Sequence, residues 1–243
     1  MADRQRPSPG FASLPPVRTK SLTGAICVLL TAGGASACGG GSSGNGVADK
    51  PPNAIVREAN TAISHANSVH VAGSISSNSV PLTLDLNLVS GKGGRGELSE
   101  GGLTFRVIAV GQSVYIQGTP AFWSHFAGPT VAHTLDGKWL KAPASGQFAP
   151  IAALTNMQML FGKVLLSHGS LQKVGTTTVN GQKVVGVRDS KAGGVLYVAA
   201  TGQPYPVEVV KRGSGAGRIV FDHINQPVAL SPPPHFRNLA QLH

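Results

Sequence analysis

Apolar residues take every second place from Leu82 to Leu88, with Thr83, Asp85 and Asn87 between them. A period of two puts Leu82, Leu84, Leu86 and Leu88 on one face of a strand and polar groups on the other. The alternation returns over 102–110, where Leu103, Phe105, Val107 and Ala109 share a face, and over 113–117, with shorter strands near 95–100 and 137–141. Beyond residue 170 it recurs over 171–179, 182–189, 194–200, 206–212 and 217–223. Asn180-Gly181, between the first two of these, is the strongest hairpin signal in the chain, because a type I′ turn needs two residues that tolerate positive φ. About ten strands joined by short turns predict one antiparallel meander, and a twisted sheet of that many strands curls or closes.

Three stretches switch to a helical period. After Pro51-Pro52, the residues Ile55, Ala59, Ala62, Ile63 and Ala66 fall on one side of a short amphipathic helix. Thr119-Pro120 reads as an N-cap and first helical position, opening a helix through Phe122, Trp123 and Phe126. The longest helical pattern covers 150–167, with Ile151, Leu154, Met157, Phe161, Val164 and Leu165 as a wide apolar stripe. The expected class is therefore mainly β (α+β), a single curled antiparallel sheet with a few helices over one face. This domain is expected over 53–230, followed by a tail, 231–243, whose Pro232-Pro233-Pro234 run cannot extend a sheet.

The front of the chain reads as a targeting segment. Arg18 and Lys20 precede an apolar stretch from Leu22 to Ala35, which ends at Ala35-Ser36-Ala37-Cys38. Positive charge, a short apolar core and small residues at a cut site describe a secretory signal peptide, here 1–37. Small residues directly before Cys38 and Gly39 after it resemble the bacterial lipobox, with Ala35 where leucine is commonest. In that pattern the thiol receives a diacylglyceryl group and the cysteine becomes the new N-terminus. The alternative is an ordinary secretory cut that leaves an incidental thiol. Cysteine usage favours the lipobox, since the only other cysteine, Cys27, leaves with the signal and no internal disulfide is available. Two or three acyl chains hold a protein on a membrane where one chain is marginal. The expected location is the outer, extracytoplasmic face of the cell membrane. Residues 38–52, rich in Gly and Ser, are expected to be a flexible tether.

Composition sharpens this picture. Charged residues make up 12% of the chain, about half the usual share of roughly 25% for soluble domains. The formal charge is +10, but the Lys and Arg residues are scattered, whereas nucleic-acid binders gather them on one face. Nucleic acid is excluded as a partner, and weak attraction to anionic headgroups remains. The stretch Gly40-Gly41-Ser42-Ser43-Gly44 reads G-x-S-x-G, yet a nucleophile elbow needs a strand before it and a helix after it. Gly91, Gly93 and Gly96 read G-x-G-x-x-G without a helix to follow, so they mark a turn. The eight histidines show no metal-ligand spacing, which predicts no zinc site. The expectation is a non-enzymatic protein without cofactor or metal.

The order of features resembles the mycobacterial lipid-carrier lipoproteins of the LppX and LprG type, which share a LolA-like half-barrel. The residues carrying the likeness are Cys38, Val114-Tyr115-Ile116-Gln117-Gly118, the Phe122-Trp123 helix and Lys138-Trp139-Leu140-Lys141. Thr178 to Val185 and Leu196 to Pro206 continue it, so it spans roughly 50–230. The resemblance implies an open half-barrel with helices on its concave side and an apolar cavity that holds the acyl chains of a lipid or glycolipid. It also implies a carrier in the cell envelope, with a membrane transporter as a further partner. Candidate lining residues are Leu82, Leu84, Leu86, Leu88, Leu103, Phe105, Val107, Leu154, Met157, Phe161 and Val164. The same side chains would serve equally as an ordinary packed core.

Overall fold

Twelve strands form one sheet in the computed structural model, which describes residues 44–77 and 80–241. In chain order they are β1 (Ser68–Ser77), β2 (Val80–Val89), β3 (Gly93–Glu100), β4 (Leu103–Val110), β5 (Ser113–Gly118) and β6 (Leu140–Pro143). They continue with β7 (Leu171–Val179), β8 (Gln182–Asp189), β9 (Val195–Ala199), β10 (Pro206–Lys211), β11 (Gly217–Asp222) and β12 (Arg237–Asn238). The spatial order is β12-β6-β5-β4-β3-β2-β1-β11-β10-β9-β8-β7. All neighbours are antiparallel except β12 and β6, and the end strands β12 and β7 do not pair with each other, so the sheet stays open. Five helices accompany it: α1 (Pro52–Ser64), α2 (Pro120–Ala127), α3 (Pro129–Leu135), α4 (Ala149–Leu154) and α5 (Met157–Leu166).

The sheet is two meanders joined at β1, which pairs with β2 on one side and β11 on the other. Sequence periodicity misses this strand. Its inward positions are Val69, Val71, Gly73 and Ile75, with His70, Ala72 and Ser74 between, and the glycine leaves the apolar alternation thin. Gly73 is required there: at φ +152° a Cβ would stand 2.0 Å from the Arg218 carbonyl oxygen of the neighbouring strand.

One face of the sheet is covered. Ile55, Ala59 and Ile63 of α1 and Met157, Phe161 and Leu165 of α5 pack against Leu84, Leu86, Leu88, Val69 and Val71. Beyond them, Phe122, Trp123, Ala132 and Leu135 of α2 and α3 cover Val114, Ile116 and Leu140. Trp123 thus anchors a helix to the core. Thr119 caps α2 as expected, its hydroxyl accepting from the Phe122 amide at 3.3 Å.

Three expectations are corrected. The single helix expected over 150–167 is two, because Thr155 donates its hydroxyl back to the Ala152 carbonyl at 2.8 Å and Asn156 caps a new helix at the Met159 amide. Such side-chain bonds to nearby backbone compete with helical continuation. The tail does extend the sheet: Arg237 donates its amide to the Trp139 carbonyl at 2.7 Å, and Arg237–Asn238 run parallel to Leu140–Lys141. The proline restriction ends with Pro234, and the residues beyond it keep their donors. The tether is shorter than expected, since residues 44–50 belong to the domain. Asn45 donates its side-chain amide to the carbonyls of Ala199 and Gly202 and accepts from the Val47 amide, and Val47 is fully buried. The signal segment, Cys38 and residues 39–43 lie outside the described residues. Among the described residues no single helix is long and apolar enough to cross a membrane.

The Asn45 contacts give a first prediction. Asn45→Ala leaves two carbonyls and one amide without their partners, so it should lower the unfolding free energy by about 1–3 kcal/mol. Urea denaturation checks this, and an unchanged midpoint would mean the 44–50 segment adds nothing to the fold.

Candidate functional site

Four strands of the second meander line up one apolar side chain each. Val187 of β8 stands opposite Leu196 of β9, Leu196 opposite Val209 of β10, and Val209 opposite Ile219 of β11. Residues paired across antiparallel strands share a face, so these four form a row across the helix-covered side. In the next row Gly217 stands between Lys211 and Ile75 and carries no side chain, and Gly194 and Gly215 lie close by. A Cβ at Gly217 would stand 2.4 Å from the Ser74 carbonyl oxygen, so the gap cannot be filled by substitution there without moving backbone. The C-terminal end of α5 (Val164, Leu165) and Val56 of α1 form the roof. The result is an apolar cavity of about 320 Å³, at the small end of the range for ligand pockets.

Among the described residues four polar ones line this cavity: Ser167, His168, Asp189 and Lys211. Asp189 closes the β8–β9 turn, accepting from the amides of Ala192 at 3.1 Å, Lys191 at 2.8 Å and Gly169 at 3.2 Å. The Ala192 amide foremost, aided by the other two, holds its carboxyl below the usual carboxylate range despite the opposing effect of burial. Its charge is therefore already engaged. Lys211 is half-buried on the rim, and among the described residues no carboxylate pairs with it. Among the described residues the cavity thus offers an apolar interior with the Lys211 ammonium at its edge.

Only Val164, of the eleven candidates read from the sequence, lines this cavity. Leu84, Leu86, Leu88, Val107, Met157 and Phe161 are buried against one another, with Phe105 and Leu154 packed on them. Leu103 joins the cluster under α2, and Leu82 is half-buried on β2. The lining strands were legible as strands, since 182–189, 194–200, 206–212 and 217–223 alternate clearly. What alternation does not reveal is which face lacks a filling helix.

The other face of the sheet gathers a polar cluster. His70 of β1 faces outward between inward Val69 and Val71, and it lies directly opposite Asp222 of β11. Its Nδ1 is 2.6 Å from Asp222 Oδ1, and its Nε2 is 3.1 Å from Asp85 Oδ1 on β2. His223 Nδ1 is 2.8 Å from the same Asp222 oxygen. Burial pulls the His70 imidazole down, but the hydrogen bonds to Asp222 and Asp85 outweigh it and leave the pKa above its ordinary value. For Asp222, burial pushes up, and the bonds from His70 and His223 overcome it and hold the carboxyl below the usual range.

Solved structures supply the comparison for this geometry. LprF from Mycobacterium bovis superposes with a TM-score of 0.54 at 13% identity, over 75% of this chain and 96% of LprF. This chain has the fold of LprF. The Mycobacterium tuberculosis lipoprotein LppX gives a TM-score of 0.48 at 17% identity, over 74% of this chain and 97% of LppX. No family model matches the chain, and no curated protein matches it in sequence. The likeness to LprF is one of fold, running nearly end to end through LprF while leaving a quarter of this chain outside the superposition. The expectation of an open, curled sheet with helices on one side thus stands.

The outer cluster gives a pH prediction. A raised pKa means the His70 contribution to stability is complete below about pH 6.5, its ordinary value, and is lost as pH rises through the folded value. Asp222, depressed, contributes above its ordinary value and loses that contribution as pH falls through its folded one. The pair is therefore strongest between the two. Urea midpoints in metal-free buffer should fall from pH 6.5 toward about pH 8.5, and the fall should shrink in His70→Gln. Equal falls in the two proteins would show that His70 carries no linkage.

Proposed function

We propose that this protein is an extracytoplasmic lipoprotein, anchored through acylated Cys38, that binds an acyl chain of a lipid or glycolipid and carries it within the cell envelope. The observation that carries the reading is the apolar cavity over Val187, Leu196, Val209 and Ile219, roofed by α5, in a chain with the fold of LprF. An acyl chain leaving a bilayer exposes surface worth about 0.8 kcal/mol per CH₂, so a carrier must offer a dry apolar space. A cavity of about 150 Å³ holds benzene. The 320 Å³ here, open to solvent on one side, suits one chain segment of at most about a dozen carbons, and its burial is worth less than the roughly 10 kcal/mol that complete enclosure would give.

Two further features support the reading. Lys211 on the rim is placed to meet an anionic headgroup while the tail lies inside. α5, which roofs the cavity, also exposes Met159 and Leu166, an apolar outer side suited to contact with lipid. No catalytic step is assigned. Cargo would enter from the membrane that holds Cys38, and a membrane transporter would be the natural further partner.

The decisive experiment is mass spectrometry on the protein produced with its export signal in an actinobacterial host. A discrete co-purifying lipid, extractable into organic solvent, is expected at one per chain. Val209→Trp should fill the cavity and abolish that lipid while the far-UV spectrum stays unchanged. A protein free of lipid even after incubation with envelope lipids would overturn the carrier reading in favour of an interaction module of the envelope. For the anchor, Cys38→Ser should stop incorporation of labelled fatty acid and move the protein from the membrane to the soluble fraction; continued labelling would remove Cys38 from the account.

A further inference from the structure

The outer face of the sheet holds a constellation that the lipid reading does not use. We propose that His70, Asp222 and His223 form a binding site for a divalent transition-metal ion such as Zn²⁺, with Asp85 orienting His70 from behind.

Register does the assembling. His70 and Asp222 are direct cross-strand partners on β1 and β11, while Asp85 on β2 lies diagonal to His70, facing Ala72. Side chains so placed on adjacent strands meet. His223 follows β11 with φ +47°, a left-handed conformation that few side chains adopt, and its ring comes within 5.5 Å of the His70 ring. One ring nitrogen each of His70 and His223 and an Asp222 oxygen all lie within 4.8 Å of one another. His70 and Asp222 come from two paired strands and His223 from the residue that follows β11, so the sheet holds the backbone of the site.

The donor set suits the ion. Two imidazoles and one carboxylate match Zn²⁺ and Cu²⁺, whereas Mg²⁺ and Ca²⁺ want oxygen alone. Metal–donor bonds of about 2.0 Å in a tetrahedron separate donors by about 3.3 Å, so the 2.6 and 2.8 Å contacts of Asp222 widen by about half an ångström when the ion replaces the shared protons. The Asp222 and His223 side chains are 45% and 69% exposed, so they are free to make that adjustment. The fourth position is left for water. Asp85 completes the arrangement: a metal-bound histidine usually gives its other ring N–H to a carboxylate, which fixes tautomer and ring plane. His70 does this at 3.1 Å through Nε2, and its side chain is only 18% exposed.

The test is calorimetry of Zn²⁺ binding to the untagged protein, with Ca²⁺ as control. The expected result is one saturable Zn²⁺ site per chain and no uptake of Ca²⁺ at the same concentration. His223→Ala and Asp222→Asn should each weaken Zn²⁺ at least tenfold, and Asp85→Asn, which touches no ligand atom, by about ten- to a hundredfold. Zn²⁺ should raise the melting temperature of the native protein and leave that of His223→Ala, a residue outside the core, unmoved. Unchanged affinity in both His223→Ala and Asp222→Asn, or absence of saturable binding, would overturn the site. Because the cluster faces away from the cavity, loss of metal binding and loss of lipid binding are separately observable.

Discussion

The pairing of β1 with β11 is the contact on which the rest of the structure depends. It joins residues about 150 positions apart, such as His70 and Asp222, and turns two separate meanders into one sheet. Without it the first meander would end at β1 and the second at β11, each with an exposed edge and an apolar face too wide for the helices left to it. Closing so long a loop carries an entropic cost that grows slowly with length, and the apolar face created by closure offsets it. Val69 and Val71 enter the same buried cluster as Leu86 from one meander and Val185 from the other.

The same seam explains why the cavity lies where it does. In the first meander, leucines at 84, 86, 88 and 98 fill the space below α1 and α5. Across the seam Phe221 still packs against Phe161, but Gly73 and Gly217 carry no side chain. The break at Thr155 ends α4 and gives α5 its own direction, so that its last turn sits over the second meander. A sheet that carries glycines between larger inward residues, under a helix that bridges both meanders, leaves space beside the glycines. The cavity is therefore a product of residue size along the sheet, and the absent side chains cannot be restored at Gly217 without collision.

One strand serves both faces. β1 sends Val69 and Val71 inward and His70 outward, and a slip of one residue would exchange them. The outer cluster and the inner core thus specify the same register from opposite sides. The ion-pair network of Asp85, His70 and Asp222 crosses three strands at the point where the two meanders meet, and it adds to the seam a polarity that apolar packing alone lacks.

Period-two alternation by itself determined most of the strands, the Asn180-Gly181 hairpin and the helix that Thr119 opens, because these depend on neighbours within a few residues. The cut-site pattern around Cys38 and the scattered charge are likewise properties of the chain read locally. The sheet order was not readable, since β1 carries too few large apolar residues to announce itself and its partner β11 is far away in sequence. Nor was the cavity: Leu84 and Leu86 sit in alternating strands just as Val209 and Ile219 do, and only the placement of α5 makes the first pair core and the second a lining. The cluster at His70 was equally hidden, because its groups stand at 70, 85, 222 and 223. Contacts within one element are encoded by spacing along the chain, whereas a site drawn from three strands exists only once their registers are set.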